Sequence, residues 1–247
     1  MDSDHIVKSF DEELARIDQI VAEMGGLAES QLSNAVRALV RRDADLAQRV
    51  VDDDVRIDDL EAELDAFCMR LLALRQPMAM DLRLVFAGLK TAGDIERIGD
   101  YAKNVAKRAA TLTQVPAVGS AGATIQRMGI LVQGMIKNVL DAFVSRDLEL
   151  AEDVRIRDHE VDQLHSSLFR ELLTYMMEDP RNITTCTHLL FIAKNLERIG
   201  DHVTNIAEHI YLMVRGETPE EDRPKGDSTA FARVEPDGAG AAEGPQK

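Results

Sequence analysis

The sequence predicts an all-α chain made of two similar three-helix bundles. Three observations carry that expectation: an internal repeat, an apolar period of three to four residues almost throughout, and no alternating Val/Thr/Tyr-rich stretch that would argue for a strand. The repeat comes first because it sets every later alignment. MGGLAESQLSNAVRALVRRD, from Met24 to Asp43, lines up with MGILVQGMIKNVLDAFVSRD, from Met128 to Asp147, at an offset of 128 − 24 = 104, with eight of twenty positions identical. The register runs on without a gap to Leu60 and Leu164. A second block pairs DIERIGDYAKNVA, from Asp94, with NLERIGDHVTNIA, from Asn195, at an offset of 195 − 94 = 101, with seven of thirteen identical. Two blocks in the same order at nearly equal offsets make chance matching untenable; the first half carries three extra residues between Leu64 and Asp94.

Within each half the apolar residues follow helical spacing. Leu46, Val50, Ile57, Leu60, Leu64, Phe67 and Leu71 form one stripe, and Leu196, Ile199, Val203, Ile206 and Ile210 another. Pro77 and Pro180 each stand just before the last long helix of their half, where a missing N–H is tolerated. Six long helices are therefore expected, at 5–41, 44–75 and 78–112, then 121–146, 148–178 and 181–214. The first bundle occupies 1–113 and the second 124–215, joined by QVPAVGSAGA at 114–123 with its Pro and Gly breakers. The last 32 residues, 216–247, hold four of the seven prolines and five of the fifteen glycines without periodicity, so an acidic, disordered tail is expected there.

Composition narrows the function classes. At 45% hydrophobic residues the chain is globular, and with 4% aromatics and no Trp its core must be Leu, Ile, Val, Ala and Met. Lys+Arg 29 against Asp+Glu 44 gives −15 with no basic run, which argues against nucleic acid or an anionic membrane as partner. Cys68 and Cys186 lie in helical segments and not in a CxxC pair, which suits a reducing cytosol. The start, MDSDHIVKSFDEEL, has neither a basic n-region nor an apolar core, so no signal peptide is expected. The most apolar run, Ile130 to Leu140, is broken by Gln133 and Lys137, and direct membrane insertion is not expected.

The twice-repeated ERIGD is the sharpest chemical feature. Glu96 and Asp100, like Glu197 and Asp201, stand four residues apart on one helical face, and Asn104 and Asn205 extend it by a turn. At about 100° per residue this face points nearly opposite the stripe of Ile95, Ile98, Ala102 and Val105, as on any amphipathic helix. Yet like charges at this spacing cost a helix a few tenths of a kcal/mol, and both copies keep them while their surroundings diverge. A shared hard-cation site explains that better than a solvated face. Asp54 and Asp58, matched by Asp158 and Asp162, flank the apolar stripe of the preceding helix and aim at the seam beside it. Four carboxylates per half could then converge, and oxygen-only ligation suits a divalent or trivalent hard ion: Mg, Mn, Ca, Fe or Zn. Gly99 and Gly200, each costing about 1 kcal/mol in a helix, mark close approach of a neighbour. Asp53 falls on the apolar register, a polar break in the bundle. Glu208 extends the second acidic face where the first half has Lys107. Neither an HExxH nor an ExxH pattern occurs, so a di-iron oxygenase is excluded; a metal-dependent phosphatase is the less remote enzymatic alternative.

With both ERIGD helices in hand, FDEEL near the start, Met24–Gly25, and the RDADLA…DDDVRIDDLE helix, the pattern from about Phe10 to Met213 resembles the PhoU family. The resemblance implies two three-helix bundles side by side, metal ions at the E/DxxxD motifs (here Glu96–Asp100 and Glu197–Asp201, with Asp54–Asp58 and Asp158–Asp162 as companions), and frequent homodimers. It also implies a cytoplasmic, non-enzymatic protein that acts with the phosphate ABC transporter, including its ATPase subunit, and with a phosphate-sensing histidine kinase. Such a protein represses phosphate uptake and the starvation response when phosphate is plentiful.

Overall fold

Each half opens with a long helix that stops at an Arg-Asp pair. In the computed structural model, which describes residues 2–219 and side chains from Phe10 onward, α1 (Asp2–Arg41) and α5 (Ala121–Ser145) are these helices. Arg42 and Arg146 follow them with φ of 55° and 60°, the left-handed turn that ends a helix. The next residue starts the following helix as its cap: Asp43 accepts from the Leu46 N–H at 2.8 Å, and Asp147 from those of Glu149 and Leu150. The RD dipeptide that closes the first repeat block is therefore a whole interhelical corner.

The second helix of each half differs. In the second half α6 (Leu148–Glu178) is continuous, whereas the first half has α2 (Ala44–Asp53) and α3 (Val55–Arg75) in line, with Asp54 between them. The Ile57 N–H bonds back three residues to the Asp54 carbonyl, a local tightening of the helix. The third helices, α4 (Met80–Leu112) and α7 (Ile183–Arg215), have equal lengths of 33 residues; a 3₁₀ turn, Pro180–Asn182, leads into α7. Among the described residues there is no strand, and six long helices, one interrupted at a single residue, fill the chain as expected. The residues expected to form the tail lie outside the described ones from 220 onward.

The core is aliphatic. Ile17, Ile20, Met24 and Leu32 of α1, Ile95 and Ile98 of α4, and Met128 and Met135 of α5 are fully buried, at about 1.5–3 kcal/mol each. α5 is apolar and long enough to cross a membrane by length and composition, but here it packs against α1, α6 and α7. Both cysteines are free and buried, and burial pushes the Cys68 thiol up to about 11, far from a reactive thiolate.

The halves meet chiefly through α4 and α7, which run antiparallel: Asp94 faces His209, Tyr101 faces His202, and Arg108 lies 4.2 Å from the Phe191 ring centroid. α1 and α5 also run antiparallel, with Asp18 on Arg146 and Glu29 accepting from Gln133. One contact dominates this joint. Asp94 takes His202 Nδ1 at 2.7 Å and Asn205 Nδ2 at 3.2 Å on one oxygen, and His209 Nε2 at 2.8 Å on the other. Burial alone would raise this carboxyl, but the three hydrogen bonds outweigh it and hold Asp94 at about 2.

Candidate functional site: two carboxylate seams

The repeated carboxylates gather where the second helix of each half crosses the third. In the first seam Asp54 is 2% exposed, because it sits on the inward register Val50–Asp54–Ile57. The Asp53 expectation is thus off by one residue: Asp53 is exposed, and Asp54 makes the polar break. Across from it stands Gly99. A Cβ there would lie 2.9 Å from Ile57 Cδ1 and 3.4 Å from both Asp54 Oδ1 and Gln31 Oε1. Glycine lets α1, α3 and α4 close on one point.

Around that point are four more carboxylates and two cations. Lys103 Nζ lies 2.5 Å from Asp54 Oδ2 and 3.5 Å from Asp100 Oδ1. Arg97 spans Glu96 at 3.3 Å and Asp100 at 3.6 Å from the outer side. Glu96 is pushed up to about 7, by burial first and then by the charge of Asp100. Burial also raises Asp58, with Asp54 as the next cause, and raises Glu61, with Asp65 and then Asp58 beside it. Glu61 was not among the residues picked out from the sequence. Its counterpart, at 61 + 104, is His165, so comparison of the two copies hides it.

The second seam is more buried. Asp158, Asp162 and Glu197 are 3%, 5% and 6% exposed, and His165 lies in Glu61's place, also buried. Lys194 pairs with Glu197 at 2.8 Å. A Cβ on Gly200 would collide with Asp158 Oδ1, so this glycine, like Gly99, makes room for the aspartate of the neighbouring helix. Thr204 replaces Lys103, its hydroxyl donating to the Asp201 carbonyl at 2.8 Å. Arg155, one turn before Asp158, is buried and pairs with Glu152 at 2.7 Å; the first half has Val51 there.

Two expectations need correction. The ERIGD face does not point outward: Glu197 is buried and the Glu96 side chain only 18% exposed. α4 is packed by α1, α2, α3 and α7, which leaves it only a narrow strip for solvent. Asn205, set in line with Asp201, is instead turned to Asp94, while Asn104 is exposed. Asp58 lies at the exposed rim, whereas Asp162 is buried.

Residues 21–109 and 125–210 each match the PhoU domain, which is to say both halves and nearly the whole helical body. The chain belongs to the PhoU family. Among PhoU relatives, the phosphate-specific transport system accessory protein PhoU homolog of Caulobacter vibrioides is 53% identical over 225 residues, spanning 91% of this chain and 98% of that one. Its namesake in Rhizobium meliloti is 49% identical over 226 residues, 92% of this chain and 95% of that one. The crystal structure of PhoU from Pseudomonas aeruginosa superposes with a TM-score of 0.81 at 42% identity, covering 84% of this chain and 99% of that one. The phosphate transport system regulatory protein PhoU from Streptococcus pneumoniae gives 0.80 at 29% identity, with 86% and 100% covered.

The donor chemistry of the seams suits the hard ion that the PhoU family implies: the groups are carboxylate oxygens, Glu96 is raised by burial and then by the neighbouring Asp100, and in the first seam two carboxylates already surround one positive charge, the Lys103 ammonium. As placed, however, no three Asp, Glu, His or Cys side chains among the described residues close on a single point.

Proposed function

We propose that this chain is a non-enzymatic, cytoplasmic regulator of phosphate homeostasis that restrains phosphate uptake and the starvation response while phosphate is plentiful. It acts, in this reading, as a homodimer on the phosphate ABC transporter, through the ATPase subunit, and on the phosphate-sensing histidine kinase. The observation that carries the role in phosphate transport is the near end-to-end match to relatives named as accessory proteins of that system. Deleting the gene should switch on a phosphate-starvation reporter in high phosphate, and the intact gene should silence it again. A reporter that stays off in the deletion strain would sink the reading.

The seams enter this function as cation sites. Asp54, Asp58, Glu96 and Asp100 would hold a hard divalent ion in the first half, and Asp158, Asp162, Glu197 and Asp201 in the second, after small side-chain movements that bring their oxygens together. Burial first, and then like charge, raises Glu96 and Asp58, and a bound cation would relieve both, which supports this reading. Glu96→Gln with Asp100→Asn should reduce bound metal in elemental analysis and shrink the stabilisation given by Mn²⁺. Glu197→Gln with Asp201→Asn should do the same for the other half. Wild-type metal content in all four changes would remove the assignment. A carboxyl held near 7 is also what a general acid or base needs, which favours a phosphatase as the second reading. Purified, Mn²⁺-loaded protein is expected to show no turnover of p-nitrophenyl phosphate; sustained turnover abolished by Glu96→Gln would reverse the choice.

A further inference from the structure

We infer that Lys103 is a built-in occupant of the first carboxylate seam, and that this seam takes up a divalent cation only in exchange for the Lys103 ammonium. The inference rests on the cation-site reading above. Nζ lies between the two helices, 2.5 Å from Asp54 and 3.5 Å from Asp100, so it neutralises one carboxylate from each side of the seam. The Asp54 side chain is 3% exposed and that of Lys103 26%, which makes this an inner ion pair, unlike the Arg97 contacts at the 59% exposed outer side. A divalent ion bound to the same oxygens would stand within a few ångströms of the ammonium, and the repulsion forbids both at once. Lys103 can leave: its flexible four-carbon stem starts at the rim of α4, and the ammonium needs only to swing into water.

A second observation points to a ligand at the same place. Gln31 is 6% exposed, and its Oε1, which meets the same point over Gly99 as Asp54 Oδ1, has no hydrogen-bond partner. Lys103 satisfies the aspartates and leaves this oxygen unanswered, whereas a hard cation would take it as a neutral ligand beside the carboxylates. The other half is built differently: Thr204 stands at the equivalent position with its hydroxyl turned to its own helix, and the nearest lysine, the more exposed Lys194, pairs with Glu197 from one turn before it. An incoming cation there does not have to displace a lysine from that position.

The test uses full-length protein and Mn²⁺ as the probe. Lys103→Thr, which copies Thr204, should tighten one Mn²⁺ site at least tenfold in equilibrium dialysis, and Lys103→Arg, which keeps the charge, should not. Lys103→Gln keeps a hydrogen bond to Asp54 without the charge and serves if the threonine variant folds poorly; it should behave like Lys103→Thr. Adding Glu96→Gln and Asp100→Asn should abolish the gain, and adding Glu197→Gln and Asp201→Asn should leave it. Unchanged affinity in both uncharged variants, with Mn²⁺ still bound by wild type, would overturn the exchange while sparing the cation sites. Absence of Mn²⁺ from wild type and variants alike would overturn both, and a site that forms only in the uncharged variants would support the exchange.

Discussion

The two seams keep the same carboxylates and change almost everything that surrounds them. In the first, the nearest positive charge comes from Lys103, one turn after Asp100; in the second it comes from Lys194, one turn before Glu197. Glu61 and Asp65 line the first where His165 and Phe169 stand in the second. Duplication has preserved a demand for positive charge at each crossing and left the source of that charge free to move. The joint between the halves shows the same drift: Asp94 clamps three side chains of α7, while its counterpart Asn195 has no such charge to offer.

The clamp gives the largest expected effect. Asp94→Asn removes the charge from three half-buried hydrogen bonds and should cost about 2–3 kcal/mol, or about 5–10 °C in Tm for a chain of this size. Asn195→Asp should change stability by about 0.5 kcal/mol at most. Because Asp94 is held at about 2, below its ordinary value, its contribution is present above pH 4 or so and fades as pH falls toward 2. The penalty of Asp94→Asn should fade over the same range, and equal melting of variant and wild type at pH 7 would show the halves to be joined elsewhere.

The paired glycines sharpen the comparison at intermediate size. Gly200→Ala drives a Cβ against the carboxylate of buried Asp158, and about 1–3 kcal/mol should be lost. Gly99→Ala meets the terminal methyl of Ile57 at 2.9 Å, which can turn aside, and the Asp54 and Gln31 oxygens at 3.4 Å, the edge of ordinary contact, while it gains about 1 kcal/mol of helix propensity. Urea midpoints should therefore fall clearly for Gly200→Ala and hardly for Gly99→Ala; the opposite order would mean that the first seam is the tighter one.

Glu96 supplies the smallest and most selective effect. Its carboxyl is held above the ordinary value, at about 7, so the folded chain binds that proton more tightly than the unfolded one. The corresponding stabilisation is complete below about pH 4 and is lost as pH rises through 7. Glu96→Gln should flatten the decline in stability between pH 5 and 8, and an unaltered slope would assign the decline to other groups.

The helices and the duplication were legible because both rest on periodicity, which tertiary contacts reinforce. The sidedness of ERIGD was not. A helical wheel sets Glu96 opposite Ile95 and Ile98, but it cannot know that α4 is packed by four other helices. Lys103 is silent in the sequence because a lysine next to an Asn on a polar face carries no signal until the seam places Asp54 beside it. The clamp did leave a trace: Asp94/Asn195, Tyr101/His202 and Arg108/His209 are all mismatches between the copies, and mismatches at matched positions are where an asymmetric joint must be written.

The antiparallel pairing of α4 with α7 also governs the field outside the molecule. Each helix of 33 residues carries about half a unit charge of opposite sign at its two ends. The end of α7 lies against the start of α4, where Gly216 packs on Arg83, so a negative pole faces a positive one and the two dipoles largely cancel. Aligned in parallel they would have summed to a lasting polarity along the bundle. Because they oppose, this pair adds little to the potential over the surface, and side chains weigh the more in it. With a formal charge of −15, adding or removing one cation at a seam then alters that potential over about 8 Å at physiological salt, with little helix field to blur the change.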